Sequence, residues 1–131
     1  MPFSDGNTAF FMNEKARQLT AFMILSRIVY MEVKVIRCAA DIEPFLPALL
    51  SARVIAVDLE TTGLDANSAR IRLVQLAAEG LPILVIDCFT FLPEGEAGLR
   101  AAFSTKAIKV FQNAKFDLQF LYGLGIFLDP I

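Results

Sequence analysis

Val57-Asp58-Leu59-Glu60-Thr61-Thr62-Gly63-Leu64, which closes the apolar run Val54-Ile55-Ala56-Val57, decides how the rest of the chain is read. Alternate residues of a strand point to one face, so Asp58 and Glu60 can reach the same cation. A second stretch, Asn113-Ala114-Lys115-Phe116-Asp117, follows the apolar segment Ile108 to Phe111 and sets a third carboxylate in the first turn of an expected helix. Three acidic groups on separate elements, two of them paired, suit a hard divalent ion held by oxygen.

Working outward, Arg53 to Asp58 reads as a buried strand, continuous in apolar and β-branched residues. Gly63 to Ala69 is expected to turn, Ile71 to Ala77 to return as a strand, and Gly80-Leu81-Pro82 to lead tightly into a strand over Ile83 to Asp87. A helix over Glu94 to Phe103, a short strand over Ile108 to Phe111 and a helix over Lys115 to Tyr122, stopped by Gly123 and Gly125, complete this part. Upstream, Glu32 to Arg37 alternates as a strand. Asp41 to Ser51 reads as a helix with Asp41 as N-cap and Pro44 in its first turn. This order predicts an α/β domain with a mixed sheet. Residues 1–30 read as an extension of unknown role, with a helix expected over Glu14 to Tyr30, and residues 31–131 as the domain proper.

Composition narrows the chemistry. A chain of 131 residues with 56% apolar and 20% charged residues forms one domain with a packed core. A formal net charge of −2 speaks against a protein that coats nucleic acid stoichiometrically. It speaks less against a nuclease, because bound cations would supply local positive charge. Histidine is absent, which removes Ser-His-Asp and Cys-His catalysis and imidazole-bound zinc from this polypeptide. Cys38 and Cys88, without metal-ligand spacing, are expected to be small buried hydrophobes in a reducing compartment. The apolar run Ala21-Phe22-Met23-Ile24-Leu25 is too short to span a bilayer, so a cytoplasmic location without membrane contact is expected.

Asp58-Leu59-Glu60-Thr61-Thr62-Gly63-Leu64 resembles the first motif of the DEDD-type 3′–5′ exonucleases, and Asn113 to Asp117 resembles the second. Ile71-Arg72-Leu73-Val74-Gln75-Leu76-Ala77 is similar to the strand between them, with ribonuclease D and the proofreading domain of family A DNA polymerases nearest in pattern. The resemblance runs from about Val33 to Ile131 and implies a ribonuclease H-like fold acting on the 3′ ends of single-stranded DNA or RNA. It further implies two Mg2+ or Mn2+ ions. Asp58 would bridge both, Glu60 would hold the ion that activates water, and Asp117 would serve the leaving-group side. Such ions lower the pKa of bound water and stabilise charge on the departing oxygen.

The same resemblance puts Thr61, Thr62, Leu64, Asn113 and Phe116 along the substrate, with Leu64 against the terminal base. Read for themselves, Phe116 is core before it is a stacking surface, and Lys115 a solvated charge before a phosphate contact. Gln75 reads as structural, and Asp87 as a turn or cap residue.

The pattern breaks at its third motif, a helix with Tyr or His four residues before a fourth carboxylate. Tyr30 and Tyr122 are followed at that spacing by Lys34 and Ile126, and Asp129 is preceded by Gly125. The expectation is therefore a ribonuclease H-like fold incomplete at its C-terminal end, with an open sheet edge. A second polypeptide would be the partner able to supply the third motif. The activity of the chain by itself stays open, with a non-catalytic nucleic-acid-binding module or an inactive fragment as the alternatives.

Overall fold

The computed structural model describes residues 8–10 and 32–130; the helix expected over Glu14 to Tyr30 lies outside them. The strands are β1 (Thr8–Phe10), β2 (Val33–Ile36), β3 (Val54–Thr61), β4 (Ile71–Ala77), β5 (Ile83–Asp87), β6 (Ile108–Phe111) and β7 (Asp129–Pro130). The helices are α1 (Ala39–Ile42), α2 (Leu46–Ser51), α3 (Cys88–Phe91), α4 (Glu96–Phe103) and α5 (Ala114–Gly123). These strands form one mixed sheet in the order β2-β5-β4-β3-β6-β1-β7, with β4 antiparallel to both its neighbours and every other pairing parallel.

Alternation along the strands divides the sheet into two faces. Ile55, Val57, Leu59, Val74, Leu76, Leu84, Ile86 and Phe111 are buried in one cluster with Ile42, Leu49, Leu99, Phe103, Leu118 and Leu121 from the helices. At about 25 cal/mol per Å² of apolar surface removed from water, this cluster is the main favourable term in folding. The opposite face carries Ala56, Asp58 and Glu60, with Leu73, Gln75 and Val85 beside them, all half-buried or exposed. The period-2 pattern of β3 thus turns apolar residues inward and presents both carboxylates outward.

Several boundaries differ from expectation for local reasons. β3 continues to Thr61 rather than stopping at Asp58, because β4 pairs with it through the whole motif. The helix expected over Asp41 to Ser51 is divided into α1, a 3-10 turn over Glu43–Phe45, and α2. Pro44 and Pro47 each sit near the start of a new segment, where a missing N–H costs no helical bond. Asp41 is not the N-cap; Cys38 is, and the Asp41 carboxylate reaches back to accept Arg37 N at 3.0 Å and Cys38 N at 3.3 Å. Cys38 is consequently exposed, contrary to its expected burial, while Cys88 is buried as expected. The helix expected from Glu94 begins at Glu96, and α3 precedes it as a separate turn. Asp87 caps α3 by accepting Phe89 N at 3.2 Å.

β1, from the segment set apart as an extension, pairs with β6 in register Thr8↔Ile108, Ala9↔Lys109 and Phe10↔Val110, and β7 pairs with β1 in turn. The edge of β6 is therefore covered by β1, and β1 by β7. At the far end of α5, Gly125 takes φ +73° and its N–H reaches Tyr122 O at 2.9 Å, the left-handed C-terminal stop that glycine supplies. Arg100 Nη2, paired with Glu96 at 2.6 Å, also donates to Leu124 O at 3.1 Å and ties α4 to this end of α5.

Candidate functional site

Asp58 and Glu60 stand on adjacent outward positions of β3, opposite Gln75 and Leu73 of β4. Beyond Glu60 the register slips, so that Glu60 faces Leu73 but Thr61 faces Ile71, and Arg72 is the extra residue of a β-bulge. Bulges bend a strand and redirect a side chain. The motif then turns on its own hydrogen bonds. Thr61 Oγ1 donates to Gly63 O at 2.7 Å, Thr62 N donates to Arg70 O at 2.9 Å, and Thr62 Oγ1 accepts Arg70 N at 2.9 Å. The expected substrate residues Thr61 and Thr62 are thus engaged in holding the loop. Gly63 lies so close to Ala69 that a Cβ there would stand 3.3 Å from the alanine methyl. Leu64, at the loop tip, is 86% exposed.

The third carboxylate arrives on α5. Asn113 is the N-cap, and its carbonyl accepts Asp117 N at 3.0 Å. Leu118 and Leu121 pack into the core, which fixes the rotation of the helix. Asp117 is 3% exposed, and its Oδ2 is buried without a hydrogen-bond partner. Burial, followed by the negative charges of Asp58 and Glu60, pushes its pKa up to about 7. Asp58 is shifted in the same direction by burial and then by Glu60. The three groups therefore repel one another, Asp117 feeling Asp58 and Glu60, and Asp58 feeling Glu60. Phe116 packs against the core, its ring 5.0 Å from that of Phe120, while Lys115 and Asn113 are exposed. The core reading of Phe116 and the solvated reading of Lys115 agree with this arrangement.

A buried carboxylate oxygen with no donor, within electrostatic reach of two further carboxylates, fits a hard cation. An unpaired buried acceptor is costly, and a divalent ion would satisfy it and relieve the repulsion. The cage is not closed. Among the described residues, no three acidic or sulfur ligands stand close enough to grip one ion together.

Sequence reasoning passed over a neighbouring cluster. The bulged Arg72 pairs with Asp87, and the guanidinium carbons of Arg72 and Arg70 lie 4.5 and 4.7 Å from the centre of the Phe89 ring. Asp87 opposes Leu73, which opposes Glu60, so all three share one cross-strand row. No periodicity betrays this cluster, because it depends on the bulge.

A sequence profile of 3′–5′ exonucleases matches residues 33–131. The chain belongs to the 3′–5′ exonuclease family. Its fold is that of the DEDD-type exonuclease superfamily. Ribonuclease D of Trypanosoma brucei, solved with GMP, superposes with a TM-score of 0.68 at 25% identity, over 79% of this chain and 33% of that one. Ribonuclease D of Escherichia coli gives 0.60 at 19% identity over 71% and 24%. The exonuclease domain of EXD2, soaked in Mn and GMP, gives 0.58 at 16% identity over 76% and 55%. The chain therefore spans about a third of the length of the first of these structures. Among curated protein sequences none matches. Of its described residues, none forms a helix long and apolar enough to cross a membrane.

Proposed function

We propose that this chain carries the metal-binding half of a 3′–5′ exonuclease site acting on single-stranded RNA or DNA ends in the cytoplasm. The observation that carries the reading is Asp117 Oδ2, buried and unpaired, on a carboxyl group that feels the charges of Asp58 and Glu60. Asp58, Glu60 and Asp117 would hold Mg2+ or Mn2+, which supplies a nucleophilic water at neutral pH and stabilises charge on the leaving oxygen. Asp58 and Glu60 lie on one strand face and Asp117 on the first turn of α5, so the scissile phosphate would sit between β3 and that turn. Leu64, exposed at the tip of the motif loop, offers an apolar surface to the terminal base. Thr61 and Thr62 keep that loop in shape, and Asn113 and Phe116, at the start of α5, would border the strand. The T. brucei ribonuclease D structure is a complex with GMP and the EXD2 domain was soaked in Mn and GMP, which supports the same ligand class here. A fourth carboxylate and a water-orienting tyrosine would come from further sequence or from a second polypeptide.

The open geometry of the three carboxylates favours a second reading, a module that binds nucleic acid without cleaving it. Digestion of a 5′-labelled single-stranded oligonucleotide in Mn2+, compared with Asp58→Ala, separates the two. Stepwise 3′ shortening that disappears in the variant supports the exonuclease. Metal-independent binding without shortening, equal in both proteins and unchanged when a polypeptide bearing a Tyr-x-x-x-Asp helix is added, supports the binding module instead.

A further inference from the structure

We propose that Arg70, Arg72 and Phe89 form a second subsite for the nucleic-acid strand, in which Arg70 binds a backbone phosphate upstream of the terminal nucleotide. The proposal rests on the exonuclease reading above and extends it to how the remainder of the strand is held.

The argument begins with the bulge. Because Arg72 is the unpaired extra residue between the Glu60↔Leu73 and Thr61↔Ile71 pairs, its guanidinium is free to reach Asp87 on the carboxylate-bearing row. Two strand spacings separate Asp87 from Glu60 on that row, about 10 Å. The cluster therefore lies within roughly one or two nucleotides of the acidic pair. Arg70 is joined to the motif itself, since its N–H and carbonyl both bond to Thr62.

The charge pattern then selects the ligand. Arg72 is partly neutralised by Asp87, but Arg70 is exposed and has no carboxylate partner among the described residues. Its guanidinium carbon is held 4.7 Å from the centre of the Phe89 ring, which is itself 44% exposed. An arginine stacked on an aromatic face keeps its N–H edge free for two parallel bonds to a phosphate, and less side-chain freedom is lost on binding. The phenyl ring thus acts as a prop for two cations on a protein of net negative charge. A polyanion that already carries its 3′ end to the acidic row is the ligand this arrangement suits.

The test is fluorescence anisotropy of a 5′-labelled single strand of about 12 nucleotides, titrated with the whole chain in Ca2+ at several salt concentrations. Wild type is compared with Arg70→Ala, Arg70→Lys and Phe89→Ala, and each protein is also titrated with a nucleoside monophosphate. Arg70→Ala should weaken oligonucleotide binding about tenfold. It should also flatten the dependence of log K on log salt by about 0.7, the value for one phosphate contact on a single strand. Mononucleotide affinity should stay unchanged. Arg70→Lys should recover the salt slope but not the full affinity, because lysine neither stacks nor forks. Equal affinity and slope in wild type and Arg70→Ala would overturn the subsite and leave the exonuclease reading intact. A loss shared equally by the mononucleotide would also overturn it, because the effect would then act on the acidic pair. No oligonucleotide binding by wild type would overturn both readings. Arg70 is exposed and makes its motif contacts through the backbone, so its variants should keep the wild-type melting temperature.

Discussion

Lys109 Nζ donates to the main-chain carbonyl of Thr105 from a position only 1% exposed, on the strand face that otherwise holds the apolar core. Burial pulls its pKa down to about 8. The folded state therefore disfavours the charged form, and the sign follows. The cost is absent above the ordinary lysine pKa, grows as pH falls through the window from 10.5 to about 8, and is complete below it. Thermal stability should rise between pH 8 and pH 10 in wild type. Lys109→Met should flatten that rise and raise the melting temperature at pH 7 by a few degrees, about 1 kcal/mol after the lost bond to Thr105 is counted. A Lys109→Met protein with the wild-type pH profile would refute this.

Asp117 has the opposite slope. Its pKa is raised to about 7 by burial and by Asp58 and Glu60, so the metal-free fold is favoured when Asp117 is protonated. Its contribution is intact below the ordinary carboxylate pKa and lost as pH climbs from about 4 to about 7. Asp117→Asn should remove that decline in chelator-treated protein and melt higher than wild type at pH 8. Chemical denaturation at pH 5 and pH 8 reads the difference directly; identical declines in the two proteins would show that Asp117 is not the group responsible.

Metal should reverse this penalty. Mn2+ at a hundredfold excess over its dissociation constant should stabilise wild type by about 2.7 kcal/mol, and the gain should grow from pH 5 to pH 8 as Asp117 ionises. Asp58→Ala and Asp117→Asn should each lose most of the Mn2+-dependent rise in melting temperature. A rise of the same size in all three would mean that the ion binds elsewhere.

Packing under the motif loop gives a prediction free of charge effects. A methyl on Gly63 would stand 3.3 Å from the Ala69 methyl, closer than comfortable carbon contact. Gly63→Ala should cost about 1 kcal/mol, and the double variant Gly63→Ala with Ala69→Gly should recover part of it. Additive losses in the double variant would place the cost in the backbone rather than in that contact.

Much of this arrangement is legible in the sequence. β4, β5 and β6 fall on their expected spans, because each is a short, largely apolar run containing β-branched residues. The outward pairing of Asp58 with Glu60 follows from strand periodicity alone. The rest depends on long-range pairing. The extension of β3 to Thr61 needs β4 beside it, and the division of the helix expected over Asp41 to Ser51 turns on where two prolines fall among tertiary contacts. The redirection of Arg72 needs a register slip between two strands. Phe89 lies between the strand and helix read from the sequence, and its contact with Arg70 and Arg72 is a matter of tertiary packing. Asp117 was legible as a ligand type, but its unsatisfied oxygen is a property of burial.

The pairing of β1 with β6 has a consequence for biosynthesis. Thr8 meets Ile108 roughly a hundred residues later in the chain. A nascent polypeptide grows at about 5–20 residues per second, so β1 waits on the order of 5–20 seconds after it is made before its neighbour exists. Each other neighbour of β3 to β5 is made sooner after its partner. Among the described residues, the first strand of the sheet to be translated is thus among the last to be seated.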